Sequence, residues 1–135
     1  MQVFKDENIA NPREFFKTNL VCREYLSRIK WGDFYICKEC SWRKCHTLPK
    51  SLNRVCNSCG DLESPTKETI FFNLRFKLPV AFSIVIDVLE GVEEVSPGVI
   101  AKRYRLTKRP VEKFINKLNA AIEKGGEKHL FLRVE

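Results

Sequence analysis

The sequence predicts an α+β fold with three parts: an N-terminal helix, a middle of short antiparallel strands pinned by cysteines, and a C-terminal unit of three helices. Three observations predict it. Four of the six cysteines stand as two C-x-x-C pairs, Cys37/Cys40 and Cys56/Cys59, with fifteen residues between the pairs. The segments on either side carry apolar residues at helical spacing, bounded by recognisable start and stop signals. Residues 34–76 are instead rich in β-branched and aromatic residues broken by turn formers. The boundaries follow as an N-terminal helical segment over 1–33, the cysteine segment over 34–77 and the three-helix unit over 78–135.

The first helix is expected over residues 12–29. Asn11 can cap its free N–H groups, Pro12 suits the first helical position, and Glu14 favours the positive helix start. Phe15, Cys22, Leu26 and Ile29 recur on one face, with Phe16 adjacent. Gly32 follows and can end the helix. Phe34-Tyr35-Ile36 then leads into the first cysteine pair, and Leu48 to Val55 into the second. Thr69 to Phe76 reads as a strand. Residues 79–90 open at Pro79 and stop at Gly91. Val80, Ala81, Phe82, Ile84, Val85, Ile86, Val88 and Leu89 cover nearly every side, which marks a buried helix. Ser96-Pro97 starts another helix as cap and first position. It runs to about Arg105, and Leu106-Thr107 breaks it before a last helix over 108–124 that ends at Gly125-Gly126. The tail from His129 to Val134 is expected to form a short strand or to fray.

The cysteine spacing, C-x2-C-x15-C-x2-C, is that of a zinc ribbon. A two-residue gap lets one tight turn aim two thiolates at one ion, and two such turns close a tetrahedron of four soft ligands. Gly60 after Cys59 permits the left-handed turn such a knuckle favours. The expected cofactor is one structural Zn2+ held by Cys37, Cys40, Cys56 and Cys59. A closed four-thiolate site has no position left to activate water. Cys22 is expected to be a buried small hydrophobe. Cys45-His46, inside the loop, are alternative ligands that a complete set of four does not require, and His129 is read as a surface or strand residue.

On the last helix, Phe114, Ile115, Leu118 and Ile122 fall within about 60° of Val111 at about 100° per residue. Arg109, Lys113, Asn116, Lys117, Ala120 and Lys124 fall opposite. Such a face suits a major groove, where Lys and Arg reach phosphates and guanine edges and Asn pairs with adenine. The preceding helix supplies Ile100, Ala101 and Tyr104 for packing. With 79–90 as the first helix, 96–105 and 108–124 form a helix-turn-helix, the latter being the recognition helix. The expected DNA contacts are Lys108, Arg109, Lys113, Asn116 and Lys117, with Arg43, Lys44, Lys50 and Arg54 of the ribbon meeting backbone phosphates.

Charge points the same way. The formal net charge is +7, and residues 1–80 and 96–135 are basic while residues 81–95 hold four acids and no base. Basic blocks of this kind suit a polyanion. Asp87, Glu90, Glu93 and Glu94 are read as acids that cap and solvate a helix end. No apolar run approaches the roughly 18 residues of a membrane span, and the N-terminus shows no signal peptide. The expected location is therefore cytoplasmic, nucleoid-associated if the source is bacterial. No Gly-rich phosphate loop, H-E-x-x-H or Ser/His/Asp set competes, so no catalytic residue is expected.

The order of these elements, with Trp31-Gly32, the four cysteines, Thr69-Ile70-Phe71 and Lys77-Leu78-Pro79, resembles the N-terminal region of zinc-ribbon transposases of bacterial insertion sequences. The resemblance covers roughly residues 14–122. It implies recognition of terminal DNA. It does not imply transposase activity, because the family's RNase H-like catalytic domain has no counterpart here. The chain departs from the family pattern at Lys38 and Ser41, where the first knuckle usually carries Pro and Gly. It departs again at Glu68, where Gly usually precedes Thr-Ile-Phe. The expected function is sequence-preferring binding of double-stranded DNA, as a regulator or end-binding factor; a homodimer or a protein partner is compatible with it. The rival is a protein-interaction adaptor that docks through Phe71, Phe72, Phe76 and Trp42.

Overall fold

The computed structural model describes residues 11–91 and 96–125. The expected tail strand at His129–Val134 lies outside the described residues, as do Glu93, Glu94 and Gly126. The fold is α+β, with five helices and one three-stranded antiparallel sheet. In chain order these are α1 (Pro12–Phe15), α2 (Asn19–Trp31), β1 (Cys45–Thr47), β2 (Arg54–Cys56), β3 (Leu62–Glu63), α3 (Leu78–Glu90), α4 (Pro97–Tyr104) and α5 (Lys108–Gly125).

The single helix expected over 12–29 is two. Asn11 does cap the first, accepting the Glu14 N–H at 3.4 Å. Phe16 then leaves helical geometry at φ −91°, ψ 46°. Thr18 supplies a second start by accepting the Val21 N–H at 3.2 Å. The break turns Phe16 into the core, with its ring 4.7 Å from Phe82 and edge-on to Tyr25 at 5.1 Å. Cys22 and Leu26 are buried, while Ile29 stays at the surface. Gly32, at φ 57°, closes α2 through its N–H to the Arg28 carbonyl.

The expected strand at Thr69–Phe76 is a series of turns. Ile70 and Phe71 are both buried although adjacent, which a strand's alternation cannot achieve. Glu68 at φ 68° and Asn73 at φ 56° bend the chain at either end, and the Thr69 hydroxyl accepts the Phe71 N–H at 3.1 Å. Phe71 reaches Phe82 at 4.7 Å and Phe114 at 5.9 Å. It is core, so the docking patch proposed to include it does not exist as such.

α3 runs through the middle of the body. Its Ala81, Phe82, Ile84, Val85 and Ile86 share one apolar cluster with Cys22 and Leu26 of α2, Ile100 and Ala101 of α4, and Val111, Phe114, Ile115 and Leu118 of α5. Gly91, in the left-handed region at φ 61°, ends α3 as expected. Ser96 caps α4 by accepting the Val99 N–H. Arg105, at φ 57°, then turns the chain into α5, with the Leu106 N–H on the Ala101 carbonyl at 2.8 Å.

The sheet runs β1-β2-β3, with Cys45 opposite Cys56 and Val55 opposite both His46 and Leu62. Three cationic side chains fasten it to α2. Arg23 donates to Asn53 Oδ1 at 2.9 Å, to Ser64 Oγ at 3.1 Å and to the Ser51 carbonyl. Lys30 Nζ lies 2.9 Å from Glu63 Oε2 and donates to the carbonyls of Ser64 and Lys67. The Glu63 oxygens accept no well-angled hydrogen bond among the described residues, so that buried pair is held by charge. Arg54 stacks its guanidinium 4.7 Å above the Trp31 ring.

Candidate metal centre and basic helix face

Two six-residue turns build the metal centre, and they repeat one another. In Cys37–Trp42, the Cys37 N–H donates to the Trp42 carbonyl at 2.9 Å and the Ser41 N–H to the Cys37 carbonyl at 2.9 Å. In Cys56–Asp61, the Cys56 N–H donates to the Asp61 carbonyl at 3.0 Å and the Gly60 N–H to the Cys56 carbonyl at 3.1 Å. The fifth residue of each turn has positive φ, 64° at Ser41 and 78° at Gly60. Glycine takes that conformation freely, and serine takes it with strain.

The turns bring the four thiols together. Cys37 and Cys59 are 3.6 Å apart at sulfur, Cys40 and Cys56 are 3.5 Å apart, and all four Sγ atoms lie within 4.8 Å of one another. A metal tetrahedron with bonds of about 2.3 Å to sulfur needs sulfurs about 3.8 Å apart. The four are grouped closely enough to hold one metal ion. Cys45 is half-buried and outside this set, and His46 is turned to Asn57, its Nδ1 2.9 Å from Oδ1.

The thiols titrate against one another. The Cys40 backbone N–H, with help from Glu39, pulls the Cys37 thiol down against its burial. Burial pushes Cys56 up, but the backbone N–H groups of Cys59 and Ser58 and the thiols of Cys40 and Cys37 outweigh it and leave it at about 6. Cys59 accepts the Asp61 N–H, which lowers it. Burial and the three neighbouring thiols outweigh that and raise it to about 12. Four thiols this close cannot all ionise without a cation among them, and the backbone donors favour thiolate; this is the chemistry of a metal ligand set. Burial pushes the Cys22 thiol up to about 12, consistent with an inert core cysteine.

The C-terminal unit presents the second candidate surface. On α5, Val111, Phe114, Ile115, Leu118 and Ala121 are buried and Ile122 is half-buried. Lys108, Arg109, Lys113, Asn116, Lys117, Ala120 and Lys124 are exposed. Of the ribbon cations, Arg43, Lys44 and Lys50 are exposed. Arg54 is not available in the same way. It is half-buried, committed to Trp31, and within 3.5 Å of Ser27 Oγ and 3.9 Å of Cys45 Sγ.

Sequence reasoning missed the hub at Asp87. Instead of solvating a helix end, this buried carboxylate accepts from Arg13 of α1 at 2.5 Å, and from Arg103 at 2.9 Å and the Tyr104 hydroxyl at 2.5 Å on α4. It ties the end of α4 to α1. Burial and the adjacent carboxylate raise the Tyr104 phenol, which keeps it a donor. Nothing local marks Asp87, because Arg13 is 74 positions away.

Among the described residues no helix is long and apolar enough to cross a membrane. No protein-family model, curated protein or solved structure matches the chain.

Proposed function

We propose that the protein is a zinc-dependent, sequence-preferring duplex DNA-binding protein with no catalytic centre of its own. The observation that carries this reading is the division of α5. One stripe of the helix is sealed into the core through Val111, Phe114 and Leu118, while Arg109, Lys113, Asn116 and Lys117 stand in solvent opposite. An amide beside cations on the outer face of a second helix is what reads base edges in a major groove.

Zinc is the metal proposed for the four cysteines, because four soft ligands on two C-x-x-C turns suit a closed tetrahedral zinc site. Bound there, zinc supplies folding energy and no open coordination site. Arg43, Lys44 and Lys50 are the ribbon residues that contact phosphate. Arg54 is withdrawn from that role by its stack on Trp31.

The resemblance to the DNA-recognition region of zinc-ribbon transposases gains support from two backbone angles. Ser41 and Glu68 stand where that family carries glycine, and both take positive φ. Both residues take a conformation that glycine adopts freely.

Fluorescence anisotropy with duplexes selected from a random pool tests the function. Affinity should fall steeply with salt. Asn116→Ala should change sequence preference, while Lys113→Ala and Lys50→Ala should weaken all duplexes alike. Equal binding of every duplex by wild type and by all three variants removes the specificity claim.

A second reading, docking of a protein, is favoured by one observation. Phe34 is 80% exposed beside the exposed Ile36. Failure to retain any duplex at moderate salt, together with a stoichiometric protein partner lost on Phe34→Ala, would select it.

A further inference from the structure

Beside α5 runs an open groove of about 550 Å³. One wall is the turn at 73–76, which contributes Arg75 and Phe76. The other is α5, which contributes Arg109, Lys113 and Lys117. We infer that this groove seats one sugar–phosphate strand of the bound duplex and that Arg75, outside the helix-turn-helix, is a phosphate contact. The inference rests on the reading of α5 given above and adds a strand and a residue to it.

Charge complementarity selects the occupant. Four cations line the groove and no acid does. Among the described residues none of the four cations forms an ion pair. The acids of α5, Glu112 and Glu123, lie on its other flank, about 80–100° from Lys113 at about 100° per residue. Arg109, Lys113 and Lys117 recur every fourth residue, so they form a ridge about 12 Å long. One small anion cannot meet such a ridge at all its points. A backbone strand, rising about 3.4 Å per nucleotide, can follow it.

The far wall is set in place by packing. Asn73, at φ 56°, reverses the chain. Phe76 then docks edge-to-face on Phe114, 5.6 Å between centroids and 88° between planes. Arg75, between them and exposed, is thereby held across from the ridge. Phe114 is buried and Phe76 is engaged with it, so the floor offers apolar edges to deoxyribose and no free ring face for a stacked base. A helix about 10–12 Å wide fills a major groove about 12 Å across. Whatever flanks the helix along its length therefore faces a backbone strand.

The experiment measures the salt dependence of duplex affinity for the zinc-loaded wild type, Arg75→Ala and Arg75→Lys, on a selected and a scrambled duplex. Circular dichroism checks that each variant is folded. The expected result for Arg75→Ala is a log–log salt slope shallower by about 0.9, one phosphate contact, with equal proportional loss on both duplexes. Arg75→Lys keeps the wild-type slope. Replacing single phosphates with methylphosphonate should find a position at which wild type weakens and Arg75→Ala does not. Wild-type binding with an unchanged slope in Arg75→Ala overturns the role of Arg75 and leaves the proposed function standing. A wild type that retains no duplex overturns both. Single-stranded DNA competing equally with duplex overturns the assignment of the strand.

Discussion

The body of the protein and its ribbon differ in what holds them. Around α3, residues from α2 to α5 and from the turn at Ile70-Phe71 form one continuous apolar cluster. Between Trp31 and Glu63 the buried apolar cluster is Trp31, Tyr35, Cys37 and Cys56, with Cys45 packed against it. Strands of two and three residues cannot make up the difference, since a small sheet needs an apolar face or a partner layer to be stable. The body is held by exclusion of water. The ribbon is held by its four-cysteine cluster and by the polar contacts of Arg23, Lys30 and Arg54 with α2 and its neighbours. Cofactor loss, core mutation and backbone strain should therefore act on different halves of the molecule.

Removing the metal breaks the comparison most sharply. Structural zinc contributes on the order of 10–16 kcal/mol of apparent binding energy in small domains. Chelation, or Cys56→Ser, is expected to abolish ordered structure over residues 33–63 while α3, α4 and α5 keep most of their helicity. Amide exchange resolved by residue reads both halves at once. Acidification acts in the same direction, because protons compete for the thiolates: metal-held stability is present at neutral pH and is lost as pH falls.

A core mutation inverts the pattern. Phe82 is fully buried and touches Phe16 and Phe71. Phe82→Ala should cost about 3–5 kcal/mol and melt the helices, as denaturant titration will measure. Metal uptake by the thiols should be the last property lost. Asp87→Ala comes next in size. It removes the carboxylate that Arg13 and Arg103 share, and both side chains are exposed enough for water to take its place. A cost of about 2 kcal/mol is expected, with loosened docking of α4 visible as faster amide exchange there. The smallest effect has the opposite sign. Ser41→Gly relieves left-handed strain in the first knuckle and should slow metal release, stabilising the loaded ribbon by about 1 kcal/mol. It should leave the metal-free body unchanged.

Legibility in the sequence follows the same division. The metal set was readable because ligand spacing is local: two C-x-x-C turns need no knowledge of the rest of the chain. α3 and α4 were readable from Pro79, Gly91 and Ser96, and the two faces of α5 from helical spacing. The break at Phe16 was hidden because Phe15, Cys22 and Leu26 still fall into helical register across it. The turns at Thr69–Phe76 were misread as a strand because Ile70 and Phe71 suit either conformation. Only their joint burial against Phe82 decides. Asp87, the Lys30–Glu63 pair and the stack of Arg54 on Trp31 join residues far apart in the chain, and no local pattern announces them. Arg75 was passed over because its setting, opposite the α5 ridge, exists only after the chain has folded.

A chemical-shift map of the zinc-loaded chain titrated with a selected duplex tests the central claim most directly. The expected perturbations are largest at Arg109, Lys113, Asn116 and Lys117, with the sealed stripe at Val111 and Leu118 and the Phe34–Ile36 surface unmoved. Perturbations confined to Phe34 and Ile36, or an α5 unchanged at saturating duplex, would contradict it.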